Sequence, residues 1–130
     1  MTNCLQVIKS GGYKISALDI EREILGLGYV SEVSVMGVAD EEFGQRVAAV
    51  IVMRDTSGSS LSLKKLRDDL RSSLSGYKLP TLMYLAGSLP RTASGKVQKI
   101  NLRKEIFDSG KHEDKIQRFV PPSAETRSRL

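Results

Sequence analysis

Apolar and polar residues alternate through "LQVIKSGGYKIS" on both sides of Gly11-Gly12, a period of two that predicts two short strands joined at the glycine pair. The period then lengthens. Ser16 offers an N-cap, Asp19, Glu21 and Glu23 bias the first turns negative, and Ile20, Ile24 and Leu27 recur at i, i+4 and i+7 with Leu25 beside them. This spacing predicts one buried face of a helix of about three turns, ended by Gly26 and Gly28. "EVSVMGV" reads as a strand with Val33 and Val35 on one face, "DEEFG" as an acidic turn, and "QRVAAVIVM" as a second, more fully buried strand. "DTSGSS" is a loop, after which Ser62 caps "LKKLRDDLRSSL". There Leu63, Leu66, Leu70 and Leu74 form a core stripe, while Lys64, Lys65, Arg67, Asp68, Asp69 and Arg71 are expected to face water. Gly76 stops this helix and Pro80 prevents its resumption. "TLMYLAGSL" is a third strand, "PRTASGK" a turn, and "NLRKEIF" a final short helix with Asn101 as its expected cap.

The order predicts an α+β fold: a small domain with an N-terminal β-hairpin and a three-stranded sheet packed by two to three helices. Residues 1–15 form the hairpin segment, 16–109 the core, and 110–130 are expected to be a mobile charged tail.

Composition narrows the chemistry. A single cysteine, Cys4, and a single histidine, His112, exclude a disulfide framework and a metal site of the Cys/His type, and Cys4 reads as an inert thiol. No apolar run approaches the roughly 18 residues of a membrane span. The opening "MTNCLQVIKS" has neither a basic n-region nor an apolar core, so nothing in it reads as a secretory signal. The net charge of +5 is unevenly placed: residues 1–89 carry ten Lys/Arg and ten Asp/Glu, residues 90–130 ten and five. A basic end suits a phosphate-bearing ligand or a solvated tail. It suits nucleic acid poorly, because that end carries only Phe107 and Phe119 as aromatics, far apart.

Two short motifs carry candidate chemistry. In "PRTASGKVQK", Gly95 permits close backbone approach and Lys96 places a compact charge on a long stem, which suits a phosphate. The spacing is not that of a Walker loop, and taken alone the tripeptide fits an ordinary surface lysine as well. Gly11-Gly12 fits either a plain hairpin turn or the close passage of a ligand.

In order along the chain, "IKSGGYKISALDIE", "VSEVSVMGVADEEFGQRVAAVIV" and "LSGYKLPTLMYLAGSLPRTASGKVQKINLR" resemble the C-terminal domain of the acyl-adenylating (AMP-binding) superfamily. Acyl-CoA synthetases, firefly-type luciferases and peptide-synthetase adenylation domains belong to that superfamily. The resemblance runs from about Val7 to Phe107, and "GGYKISALDIE" looks closest to malonyl-CoA synthetase-like members. It implies a mobile domain that serves an ATP-dependent ligase, in which a carboxylate is joined to AMP and then passed to coenzyme A. It further implies that Lys96 binds ATP and the adenylate and is the catalytic lysine of adenylation. Lys9, Gly11, Gly12 and Tyr13 would face the coenzyme A tunnel, and Gln6 would occupy the hinge position, where the family usually has aspartate or lysine. ATP and coenzyme A would be substrates, with Mg2+ accompanying ATP and held outside this chain. The partner implied is an N-terminal adenylation domain, without which these residues are expected to be inactive. A non-catalytic protein-interaction module of the same fold is the alternative.

Overall fold

Val47, Ala49 and Ile51 point to one side of a strand and Ala48, Val50 and Val52 to the other, and all six are buried. A strand apolar on both faces must be covered on both, and the molecule is arranged around it. The structure, a computed structural model, describes residues 7–41, 44–54 and 61–119. Cys4, Gln6, the "DTSGSS" loop and the stretch from Val120 onward lie outside the described residues.

Strands β1 (Val7–Ser10) and β2 (Tyr13–Ser16) form the hairpin, helix α1 (Ala17–Leu25) follows, and β3 (Val30–Asp40) pairs antiparallel with β4 (Gly44–Met53). Helix α2 (Leu63–Leu70) carries the chain over to β5 (Leu82–Leu85), which runs parallel to β4. A helical segment begins as α3 (Lys99–Leu102) and continues with π-helical geometry over Arg103–Asp108. The described chain closes with β6 (Gln117–Arg118), antiparallel to β5. Among the described residues the sheet therefore has six strands. The expected three-stranded unit is β3, β4 and β5, and the hairpin joins it through Ser10 opposite Gly44.

Helices α1 and α2 cover one face through Ile20, Ile24, Leu63, Leu66 and Leu70, and Leu102, Ile106 and Phe107 cover the other. Both helix starts are capped as the sequence indicates. Ser16 Oγ accepts from the Asp19 N–H at 3.4 Å, and Ser62 Oγ accepts from the Lys65 N–H at 3.2 Å. No described helix is long and apolar enough to cross a membrane.

Several expectations need correction. Leu25 is exposed, because the helix ends there and the buried stripe is set by Ile20 and Ile24. Asn101 does not cap the last helix, which starts two residues earlier; its Nδ2 donates to Gln98 Oε1 at 2.6 Å. Arg67 is buried instead of facing water, with its Nη1 donating to the Pro80 carbonyl at 2.8 Å and its guanidinium 3.6 Å from the Phe119 ring centroid. The stretch from 110 to 119 does not leave the fold. Ile116 is buried against the sheet, and Gln117 binds the entry to α2, where its Oε1 accepts from Leu63 N–H at 2.7 Å and its Nε2 donates to the Leu61 carbonyl at 3.0 Å.

Candidate functional site

The turn that carries Lys96 is ordered by its own backbone. Arg91 and Val97 form a bridge, the Thr92 N–H donates to the Lys96 carbonyl at 2.8 Å, and the Gln98 N–H donates to the Pro90 carbonyl at 2.9 Å. The Gly95 N–H donates to the Thr92 carbonyl at 2.9 Å, and the Lys96 N–H to Thr92 Oγ1 at 3.3 Å. Closing so tight a loop puts Gly95 at φ +92°, in the region that favours glycine. The result is an exposed, hydrogen-bonded tip with Lys96 at its edge.

A cleft of about 300 Å³ lies against this tip, lined by Glu21, Ser34, Arg91, Lys96 and Lys99 among others. Most of its charges are already committed. Arg91 pairs with Glu32 of β3 and also donates from Nη1 to the Gly95 carbonyl at 2.9 Å. Lys99 Nζ sits 2.8 Å from Glu21 Oε2 and donates to the Val35 carbonyl at 2.9 Å. The Lys96 ammonium has neither a hydrogen bond nor an ion pair among the described residues.

The hairpin is built on backbone geometry. Ser10 faces Tyr13 across a two-residue turn, with Gly11 at φ +57° and Gly12 at φ +89°. Positive φ at both central residues is the type I′ turn, whose twist matches that of the flanking strands. The turn alone therefore accounts for both glycines. A Cβ placed on Gly12 would meet nothing within 4 Å, so the space over the turn is open. Lys9 is held through its backbone, its N–H donating to Gln45 Oε1 at 2.8 Å, while its side chain is exposed. Behind the turn, Ser10, Gly11, Tyr13, Arg46, Arg67 and Phe119 contribute to a second cavity of about 310 Å³.

The expected site residues thus fall into two groups that the fold keeps apart. No described residue lines both cavities. The hairpin meets β4 at Gly44, whereas Val33 and Ser34 beside Lys96 pair with Ile51 and Val50. Six residues of strand separate those points, ~20 Å at about 3.3 Å each. Gln6 lies outside the described residues. Sequence reasoning missed Lys99, Glu21, Arg91 and Glu32. Glu21 carried a visible signal, an acid early in a helix, but the partner it selects is 78 positions away in the chain.

The chain spans about a fifth of the length of the known proteins that it matches. It is 46% identical over 101 residues to a CoA ligase of Gibberella moniliformis, covering 78% of this chain and 17% of that protein. It is 42% identical over 106 residues to the mitochondrial malonate–CoA ligase ACSF3 of Mus musculus, covering 82% and 18% respectively. Among solved structures, a fatty acyl CoA synthetase of Mycobacterium tuberculosis superposes with a TM-score of 0.72 at 34% identity, over 80% of this chain and 20% of that one. The ATP-bound MatB of Rhodopseudomonas palustris gives 0.72 at 32%, over 82% and 21%. The model of the AMP-binding enzyme C-terminal domain matches residues 19–96, ending on the lysine of the ordered loop, and the chain belongs to that family.

Proposed function

We propose that this chain works as the mobile C-terminal domain of an acyl-CoA synthetase, bringing Lys96 to the adenylation step and the Gly11-Gly12 hairpin to the thioester step. The observation that supports it most directly is the Lys96 ammonium, without a partner among the described residues, on a hydrogen-bonded, exposed loop whose neighbouring cations are already paired. Adenylation brings a carboxylate against the α-phosphate of ATP. A cation held in place in advance lowers the repulsion between them and stabilises charge developing on phosphorus, without reorganising as the reaction proceeds. The carboxylate attacks the α-phosphorus, the bond to pyrophosphate breaks, and coenzyme A thiol later displaces AMP from the acyl carbon.

For the second step, the open space above Gly12 admits a narrow chain such as a pantetheine arm, with Lys9 and Tyr13 at its flanks. Gln6 would lie at the hinge. Mg2+ would enter with the phosphates of ATP and be held by the N-terminal domain, as would adenine and the acyl group. The names of the relatives, malonate–CoA ligase and fatty acyl CoA synthetase, support a fatty or dicarboxylic acid as the substrate.

The test uses the enzyme completed by its N-terminal adenylation domain. Lys96→Ala should slow ATP–pyrophosphate exchange by roughly 100-fold or more while preformed acyl-adenylate is still converted to thioester. Gly12→Trp should do the reverse. Full adenylation by Lys96→Ala would refute the assignment of the lysine, and full thioester formation by Gly12→Trp that of the hairpin.

A further inference from the structure

Strand β3 has β4 on one side only among the described residues, so its other edge is open. At Val35 that edge is closed by side chains. The Val35 N–H donates to Glu21 Oε2 at 2.8 Å, the Val35 carbonyl accepts from Lys99 Nζ at 2.9 Å, and the same Glu21 oxygen lies 2.8 Å from Lys99 Nζ. Glu21 and Lys99 together take the place of a neighbouring strand. The side chains are only 14% and 11% exposed, so both charges are largely out of water. A pair desolvated to that degree contributes little net stability and is no better than apolar residues of similar volume. The segment that Lys99 opens is moreover already anchored by buried Leu102, Ile106 and Phe107. What an ion pair can add at such a place is registry, by favouring the one arrangement of α1, β3 and the start of α3 in which both charges are partnered.

Registry matters here because of what precedes Lys99. The Lys96 loop is hydrogen-bonded within itself, Val97 packs against the core, and two ion pairs tether its ends to the body of the sheet. One is Arg91 to Glu32 at its start, partly exposed; the other is Lys99 to Glu21 and Val35 just after it, nearly enclosed. We propose that the Glu21–Lys99 pair, closed on both backbone groups of Val35, is a positioning device that fixes the height and direction of the Lys96 loop for adenylation. Neither residue touches the reacting atoms. Their role passes through Lys96, and it rests on the adenylation reading of that lysine.

The experiment has two arms. In the chain itself, amide hydrogen exchange is followed in wild type, Lys99→Met combined with Glu21→Gln, and Lys99→Arg. The amide oxygen that Glu21→Gln introduces would still accept the Val35 N–H, so the double variant removes the ion pair and the donor to the Val35 carbonyl while the Val35 N–H stays capped. Exchange at Thr92, Gly95 and Gln98 should quicken by about tenfold or more while Val50 in β4 stays at the wild-type rate. In the enzyme completed by its N-terminal domain, the double variant should lose roughly 10- to 100-fold in kcat for pyrophosphate exchange, with thioester formation from preformed acyl-adenylate unchanged. Lys99→Arg, which keeps a donor for both acceptors, should restore most of both readouts. Unchanged loop exchange and unchanged adenylation, in an enzyme that Lys96→Ala inactivates, would overturn the positioning role and leave the adenylation reading standing. Equal acceleration at Val50 and in the loop would overturn it too, by showing a purely structural role. An active Lys96→Ala enzyme would overturn both readings, whatever the exchange data give.

Discussion

Ile116, just before β6, and Gln117, its first residue, sit in a polar, charged stretch, yet the fold uses both, in different directions. Ile116 is 7% exposed within the cluster under the last helical segment, and Gln117 reaches the other way to the entry of α2. Ile116→Ala removes three carbons, worth about 2.4 kcal/mol of transfer at about 0.8 kcal/mol each. The edge position lets neighbours and water relax into the gap, so the cost should stay at ~2–3 kcal/mol, in the lower half of the usual range. Gln117→Ala removes one partner from the Leu63 N–H and one from the Leu61 carbonyl. At about 1 kcal/mol per hydrogen bond, with partial replacement by water, the loss is about 1–2 kcal/mol. The two side chains contact different elements, so their effects should be nearly additive, and the double variant should lose ~3–5 kcal/mol. A domain of ordinary stability, about 5–15 kcal/mol, would then be near its limit. Urea unfolding followed by circular dichroism reads this as a lower midpoint with an unchanged slope. A double variant within about 0.5 kcal/mol of wild type, the scatter of neutral surface changes, would refute the reasoning.

Two further outcomes follow from single contacts. The Tyr29 hydroxyl donates to Asp69 Oδ2 at 2.6 Å, and this bond, then Lys65 at 3.1 Å, holds the Asp69 carboxyl below its ordinary range. A lowered folded pKa means stability that is full above the unfolded pKa of about 3.9 and is lost as pH falls through the folded value. Tyr29→Phe should therefore flatten the acid limb of the stability–pH curve, and identical limbs for the two proteins would refute the link. A Cβ on Gly37 would lie 2.8 Å from Cδ and Oε1 of Gln45, the side chain whose Oε1 accepts from Lys9 N–H. Gly37→Ala should displace Gln45, cost about 1 kcal/mol and speed exchange of the Lys9 amide; unchanged Lys9 exchange would refute it.

What could be read from the sequence was local, and what could not was set by contacts distant in the chain. The glycine pair announces a two-residue hairpin because only positive φ at both positions gives the right twist, and the angles found are those of that turn. The leucine stripe announces α2 because its spacing needs no partner to be seen. Arg67 shows where such reading fails. It shares the stripe with Leu63, Leu70 and Leu74, so periodicity places it inside while its charge argues for water. Position prevails because the Pro80 carbonyl and the Phe119 ring are there to receive a guanidinium, and neither is apparent from α2 alone. Strand β6 has no periodicity to show in two residues, and its partners Leu82 and Met83 lie some 35 positions upstream. The Lys96 loop is marked by its glycine, whereas the Glu21–Lys99 tether joins two residues that the sequence offers as separate surface charges.

The placement of the two candidate groups bears on how such a domain can serve two steps. Strand β4 is buried on both faces, pairs with β3 along its length on one edge, and meets the hairpin and β5 on the other. A strand held on four sides does not bend or slip, because a shift of one residue would turn its whole apolar set from one core into the other. The hairpin and the Lys96 loop therefore keep a fixed separation, anchored ~20 Å apart along a rigid element. Neither can be carried to the other's place by any change inside the domain short of unfolding its core. On the proposed reading, one active centre can meet both only if the domain turns as a body, about a joint outside the sheet. The fold's rigidity is what makes such a turn productive, since each group would arrive with its geometry already set.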